Sequence, residues 1–424
     1  GTKRKKRGAG GRADAASGAK QVAAARGKTK WPGSPFPWVS ANVVHKKTGK
    51  PVLPPYVIRE INGVKVAFVG AVTKDLKKVT TAKGIPNIKA LDPATAVNKY
   101  VPEIQAQGVK TIVVVVHEGG DTDKDDPTKL AGPIVKLAED LDPEVDVIIS
   151  AHSHKEYATE ISGKQVIQAG SYAKALGVVD LNVDRTTGDV VSAGARLVRN
   201  DENGIEPDAK IAAMALKFHK AVAPRTERVV TTLKAPLTRE AGPNGETAIG
   251  SLIAEAQRVF AKADIGFMNN GGVRQDLEAG PLKWGTLFGV QPFANHVMRL
   301  EMTGAEVREL LEQQFPEGGN GRQLQIAGLK VHLDLTKPSG QKVVSVTLAD
   351  GTPLDPKKTY KIAANAFIAE GGDGFTAFKK GRKRTDVGDD LKALVKYLES
   401  GKPVPTKPPE NVIIDAGSVP AHGH

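Results

Sequence analysis

Apolar and polar residues alternate along Val64-Lys65-Val66-Ala67-Phe68-Val69-Gly70, the period of a strand with one buried face, and Trp38-Val39-Ser40-Ala41-Asn42-Val43 begins a similar pattern upstream. The period then lengthens. Residues 92 to 108, opened by Asp92-Pro93 and closed by Gly108, predict an amphipathic helix with an N-cap and a C-terminal glycine. An unbroken apolar run over 111–116 predicts a strand, 127–140 a second helix, and Val145-Asp146-Val147-Ile148-Ile149 another strand. Continuous apolar runs of this kind belong to strands covered on both faces. Two more strands, over 164–169 and 176–184, close the region with a hairpin-like finish at Asp184-Arg185-Thr186-Thr187-Gly188.

Residues 207 to 222 read as a helix stopped by Pro224 and serve as a connector, 207–228. Beyond it, helices over 249–262, 304–315 and 389–400 mix with strands over 264–268, 297–302, 329–335, 342–348 and 359–365. From Pro403 onward the chain is Pro-rich and expected to be extended. A length of 424 residues exceeds one core of ordinary size. The expected division is a tail over 1–30, a first domain over 31–206, the connector, a second domain over 229–413, and a tail over 414–424.

Composition changes this picture little, and charge changes it in one place. Of the net charge of +13, residues 1 to 30 carry +9, from ten Lys or Arg against the single acid Asp14. A basic, Gly- and Ala-rich arm without aromatic interleaving reads as a solvated tail, and nucleic acid is not the expected partner. No apolar run, Ile112-Val113-Val114-Val115-Val116 included, approaches the roughly 18–20 residues of a membrane span. The segment after Lys3-Arg4-Lys5-Lys6-Arg7 lacks the apolar core of a secretory signal. Cysteine is absent, so any metal must be held by His, Asp, Glu or Asn.

Ligands of open α/β sheets gather at the carboxyl ends of strands. Two loops at such ends carry histidine here: His117-Glu118-Gly119-Gly120, and Ala151-His152-Ser153-His154. Neutral imidazole is a common ligand of zinc, manganese or iron, and a His-x-His pair can aim both rings at one cavity. Val116-His117-Glu118-Gly119 and Ser150-Ala151-His152-Ser153-His154 resemble the last two metal motifs of the calcineurin-like metallophosphoesterases, with Ala151 in place of a usual Gly. The resemblance implies that His117 and His152 bind one divalent ion (zinc, manganese, cobalt or similar) and His154 a second. The family's earlier motifs, Asp-x-His, Gly-Asp and Asn-His-Glu, do not occur before His117, and no catalytic His is identified. Three imidazoles cannot supply the bridging carboxylate and the ligands that two ions need. Asp121, Asp123 and His45 are the nearby substitutes.

The second domain carries three further motifs: Phe267-Met268-Asn269-Asn270-Gly271-Gly272-Val273-Arg274, Val290-Gln291-Pro292-Phe293-Ala294-Asn295, and Asn365 through Phe375 with Glu370-Gly371-Gly372-Asp373-Gly374. Together they resemble the C-terminal domain of the 5′-nucleotidases, a family that includes UDP-sugar hydrolases and cyclic-nucleotide phosphodiesterases. Over residues 36 to 413 the chain is most similar to bacterial, particularly actinobacterial, bifunctional metallophosphatase/5′-nucleotidases, which are generally exported. The implied fold class is α/β: a calcineurin-like metallophosphoesterase sandwich, N-terminally incomplete, followed by an α+β nucleotide-binding domain. The implied reaction releases phosphate from an AMP-like nucleotide, or in the wider family acts on a UDP-sugar or cyclic nucleotide. In that family a metal-bound hydroxide attacks the phosphorus, and an impaired, binding-only chain is the alternative.

The residues can be read for what they would do. A base binds well between two aromatic rings, and Phe293 and Phe367, in Gly- or Pro-bracketed loops, are the candidate pair. Arg274, after a Gly271-Gly272 turn that lets backbone approach a ligand, suits phosphate oxygens. Asp373 can accept hydrogen bonds from both ribose hydroxyls, and Asn269 and Asn295 either read base edges or fix the loops. Arg239 matches a phosphate-side Arg of the family, while Pro243 stands where a second is often found.

Overall fold

A computed structural model describes residues 34–80, 84–122, 129–200, 204–317 and 322–417. The basic arm over 1–30, Asp123 and the expected start of the helix at 127 lie outside these residues. The chain divides into two compact units between Glu206 and Pro207.

In the first unit a six-stranded sheet is built around four parallel strands, Val64–Val72, Thr111–His117, Val147–Ile149 and Lys164–Ala169. Each edge is a hairpin partner running antiparallel, Tyr56–Ile61 beside the first and Glu156–Ile161 beside the last. Both hairpins turn over two residues with positive φ, Asn62 (50°) and Gly63 (83°), and Ser162 (51°) and Gly163 (75°). Such turns match the right-handed twist of paired strands. The Asn62-Gly63 pair was the available signal for the Tyr56–Ile61 strand, which the alternation alone did not reveal.

Helices cover one face of this sheet. The segment expected as a single helix over 92–108 is two, Pro93–Asn98 and Val101–Gln105, because Pro102 has no N–H to continue the ladder. Asp92 does cap the first, accepting from the Thr95 amide at 3.0 Å, and Gly108 closes the second with φ 71°. The next helix, Pro133–Asp140, starts later than periodicity suggested, after Gly132 at φ 98°. Val97, Ile104, Ile112, Val114, Ile134 and Ile148 form the buried core between helices and sheet.

The opposite face is covered in part by an antiparallel pair, Ala175–Val183 and Val190–Arg199, whose Val179 and Leu181 pack on Val66, Val113 and Val147. This cover does not reach the carboxyl ends of the central strands. Val115 and Ile149 are 41% and 39% exposed, so the expectation of burial on both faces fails there. The pattern Trp38 to Val43 also yields little strand. Asn42 satisfies the backbone with its side chain instead, donating to Leu91 O at 3.0 Å and accepting from the Val72 amide at 2.9 Å, and the strand runs only over Val43–His45.

The second unit opens with helix Ala209–Thr226, which passes through Pro224 rather than stopping before it. A five-stranded sheet follows in the order Leu324–Ala327, Ile265–Asn269, Thr359–Asn365, His296–Thr303, Arg382–Asp389. Ile265–Asn269 and Thr359–Asn365 are the parallel pair at its centre. Helices Ala248–Ala261 and Asp390–Glu399 pack together on one side around Leu252, Ile253, Leu394 and Leu398. On the other side Phe267, Leu300, Leu310 and Phe378 share a core with a three-stranded sheet. That small sheet recruits Val412–Ala416 from the Pro-rich tail, paired parallel to Leu329–Asp334.

Candidate functional site

The parallel strands at the centre of the second sheet end side by side at Asn269 and Asn365, and their amides meet: Asn365 Nδ2 donates to Asn269 Oδ1 at 2.9 Å. Asn365 also caps the short helix Ala366–Ala369, accepting from the Ile368 amide at 3.1 Å. That cap fixes the start of the loop carrying Phe367 and Asp373. Asn269 Nδ2 in turn donates to Asp373 Oδ2 at 2.8 Å. Of the two roles left open for Asn269, these two hydrogen bonds fit the fixing of loops.

The Asp373 loop is tightly built. Gly371 and Gly374 both have φ 87°, and Asp373 itself sits at φ 55°, a left-handed conformation that Asp tolerates better than most residues. A Cβ on Gly372 would lie 2.7 Å from the Phe367 ring. The second oxygen of Asp373, Oδ1, meets Arg322 Nη1 at 2.6 Å. Burial pushes the Asp373 carboxyl up from its ordinary value, and the Arg322 charge and the Asn269 hydrogen bond oppose the rise. Arg322 was not singled out in the sequence, where it follows no motif.

Asn270–Gly272 form a single tight turn after the Asn269 strand. Its two glycines differ in purpose. Gly272 is needed by the protein itself, because a Cβ there would approach Met268 Cε to 2.5 Å and Asn269 Oδ1 to 2.9 Å. Gly271 has only the Asn269 amide within 4 Å, so it is the one that leaves backbone open to a ligand. Arg274 Nη1 donates to Gly271 O at 3.0 Å, and its guanidinium carbon stands 5.7 Å from the centre of the Phe293 ring. Phe293 is 56% exposed, whereas Phe367 is half-buried and packs on the core. Asn295 is half-buried, and its carbonyl accepts from the Asp390 amide at 2.9 Å. Arg239 is held by Asp276, which accepts from its amide at 2.8 Å and its Nε at 2.9 Å. Asp276 lies two residues beyond Arg274, so both arginines belong to one loop system, and nothing in the sequence had marked Asp276.

In the first unit, the loops after the Thr111–His117 and Val147–Ile149 strands are locked together. The Ala151 amide and the Ser150 hydroxyl donate to Glu118 O at 3.1 and 2.9 Å. A Cβ on Gly119 would strike Ala151 O at 2.5 Å. Ala151 is not among the residues with positive φ, so its methyl group adds no strain to the loop. The left-handed positions are instead His152 at φ 77° and His154 at φ 59°. Such conformations cost about 1 kcal/mol or more and are observations that call for a reason. His152 Nδ1 lies 3.2 Å from His117 Nε2, and the His154 ring lies 6.0 Å from that of Tyr172.

Residues 228–380 match the family model of the 5′-nucleotidase C-terminal domain. The chain is 36% identical over 377 residues to the endonuclease YhcR of Bacillus subtilis, and 34% identical over 396 residues to the cell wall protein Lmo0130 of Listeria monocytogenes. These alignments cover 88% and 86% of the chain but 30% and 50% of the relatives. The crystal structure of a 5′-nucleotidase precursor from Thermus thermophilus superposes with a TM-score of 0.77 at 28% identity, over 89% of this chain and 78% of that one. Residues 228–380 thus carry a 5′-nucleotidase C-terminal domain, and over most of its length the chain is similar to 5′-nucleotidases.

Its fold is accordingly the calcineurin-like α/β unit followed by the 5′-nucleotidase C-terminal domain. Metallophosphoesterases generally use divalent metals. Two imidazole nitrogens 3.2 Å apart fit neighbouring ligands of one tetrahedral ion, which for Zn–N bonds of about 2.0–2.1 Å are roughly 3.3 Å apart. Among the described residues, however, no group of three or more His, Asp or Glu side chains is placed to hold a metal ion. Asp121 pairs with Lys155 at 2.9 Å, and His45 ends the short strand paired to Ile88–Ala90. The described residues therefore do not fit a two-ion centre.

Proposed function

We propose that this chain binds a nucleoside 5′-monophosphate in its C-terminal unit, within the class of metal-dependent phosphomonoester hydrolases that convert a nucleotide to nucleoside and phosphate. The observation that carries the reading is the meeting of Asn269, Asn365 and Asp373 at the ends of two parallel strands, with Phe367 on the same capped loop. In this reading Phe293 and Phe367 take the base, Asp373 the ribose, and Arg274 and Arg239 the phosphate. The guanidinium fork suits phosphate oxygens, and two arginines in one loop system can share one group.

A second reading, nucleotide binding without turnover by this chain, is favoured by the donor set around His117 and His152. Among the described residues, no group of three or more His, Asp or Glu side chains gathers around that pair. Losing one electrostatic donor at a reacting phosphate or carbonyl typically costs about 10²- to 10³-fold in rate. The two readings share the binding step and part at phosphate release. The cell wall assignment in the name of the Listeria relative supports an extracellular or envelope location, and no described helix is long and apolar enough to cross a membrane.

Calorimetry with AMP and with adenosine, on the chain and on Phe367→Ala, tests the binding step. Binding that is lost with Phe367 is the expected result, and binding indifferent to Phe367 would remove the pocket assignment. In parallel, phosphate release from AMP with Mn²⁺, Zn²⁺ or Co²⁺ is expected to be slight. Turnover at an ordinary enzyme rate would decide for the hydrolase reading over binding alone.

A further inference from the structure

We propose that Arg322 aims the Asp373 carboxylate at the nucleoside and makes this pocket selective for ribose over 2′-deoxyribose. The inference rests on the nucleotide-binding reading above and adds to it a residue outside its motifs. Asp373 carries the side chain best placed to accept from sugar hydroxyls, but its own chemistry works against that role. Its side chain is only 16% exposed, and a carboxylate so enclosed either finds partners or takes up a proton. Once protonated it becomes a donor at one oxygen and loses half of its value as an acceptor for two hydroxyls.

The structure provides the partners from two directions. Asn269 Nδ2 holds Oδ2 at 2.8 Å and Arg322 Nη1 holds Oδ1 at 2.6 Å, so among the described residues each oxygen is gripped once and the plane of the group is set. A carboxylate oxygen accepts two hydrogen bonds. One site per oxygen is left, which matches two vicinal hydroxyls donating one bond each. Arg322 is itself anchored, its amide donating to Gln314 O at 2.9 Å, while its side chain is 42% exposed. Lys379 packs against Gly371 and Arg384 donates to Ala369 O at 2.7 Å, but among the described residues only Arg322 meets the carboxylate.

Selectivity follows from what is left unmet. A 2′-deoxynucleoside gives this enclosed, charged group one hydroxyl where it is prepared for two. A buried acceptor deprived of its partner discriminates far more strongly than a missing methylene does, and for a charged group about ten- to a hundredfold is the expected scale. Without Arg322 the carboxylate has only the neutral Asn269 to hold it. It then turns more freely and takes up a proton more readily, so that affinity falls and the distinction between the sugars narrows.

The test is calorimetric titration of the full chain with adenosine and with 2′-deoxyadenosine between pH 5.5 and 8.5, for the chain as it is, R322Q, R322K and Phe293→Ala. The unsubstituted chain is expected to prefer adenosine at least tenfold, with an affinity that is flat across this range. R322Q should lower the preference to below about threefold and bind adenosine more tightly as pH rises. R322K, which keeps the charge but not the fork, should stay flat with pH and recover part of the preference, and it carries the test if R322Q does not fold. Phe293→Ala should weaken both nucleosides equally and leave their ratio unchanged. An R322Q chain with unaltered ratio and pH profile would show that Arg322 is a structural tie alone. Failure of the unsubstituted chain to bind either nucleoside would remove the pocket itself, and the Arg322 assignment with it.

Discussion

Phe293 and Phe367 are assigned to the same base, yet they are built into the chain in different ways. Phe293 is 56% exposed in a loop whose next residue, Ala294, has φ 51°, and little of the protein depends on its ring. Phe367 packs on the core and against Gly372, in a helix capped by Asn365. Each stack with a base is worth about 1–3 kcal/mol. Phe293→Ala is therefore expected to weaken adenosine binding by about ten- to a hundredfold while changing unfolding free energy by less than about 0.5 kcal/mol. Phe367→Ala should lose comparable affinity and also about 1–3 kcal/mol of stability, because its ring leaves a gap against the core. Paired titrations and urea denaturation curves on both variants check this contrast. Equal losses of stability would mean that the exposure of Phe293 does not reflect a ring waiting for a ligand.

At the scale of elements, two buried carboxyls govern how the C-terminal unit responds to pH. Glu246, 1% exposed, precedes the N-cap Thr247 of helix Ala248–Ala261 and accepts from the Val412 amide at 3.0 Å, tying that helix to the last strand. Its other oxygen has no partner among the described residues, and burial pushes it up to about 7. Asp390, 2% exposed at the start of helix Asp390–Glu399, is raised to about 7 by burial and by the adjacent Asp389. A carboxyl whose folded pKa lies above its unfolded one favours the fold while protonated. The contribution is complete below about pH 4 and is lost as pH rises through about 7, on the order of 3–4 kcal/mol per group. Thermal unfolding of the chain is thus expected at a higher temperature at pH 5.5 than at pH 8.5, and Glu246→Gln should reduce the difference. A Glu246→Gln chain with the same pH dependence as the parent would remove Glu246 from this account. None of this was visible in the sequence, where Glu246 is one acid in a Gly-rich loop. What was visible were elements with strong periods or strong ends: Val64–Val72, Thr111–His117, Ala248–Ala261 and Asp390–Glu399 all follow their patterns. Missed elements had weak patterns. Arg382–Asp389 is a charged edge strand, and Leu324–Ala327 is four residues long and contains a buried Gln. Proline misled in both directions, since Pro102 marks a break where one helix was expected and Pro224 rides inside a helix expected to stop.

At the scale of the whole molecule, the two units carry separate chemistries and separate cores. Val97, Ile104, Ile112 and Ile134 fill the first, while Phe267, Leu300, Leu310 and Phe378 fill one of the layers of the second. Every residue assigned to the nucleotide, from Arg239 to Asp373, lies beyond the division at Pro207, and so do the groups that hold them: Asp276, Arg322 and Asn365. The motifs assigned to the nucleotide were therefore legible together, because each is a strand end or turn with a local sequence signature. The long-range ties between them were not, since Arg322 and Asp373 stand 51 residues apart and nothing in either local sequence refers to the other. A unit with its own core and all of its ligand contacts should act alone. Residues 207–417, expressed separately, are expected to fold cooperatively and to bind adenosine within about threefold of the affinity of the full chain, a difference under about 0.7 kcal/mol. Loss of binding in a piece that melts cooperatively would mean that the first unit contributes contacts to the nucleoside. Retained binding would place recognition of the nucleoside wholly in the second unit.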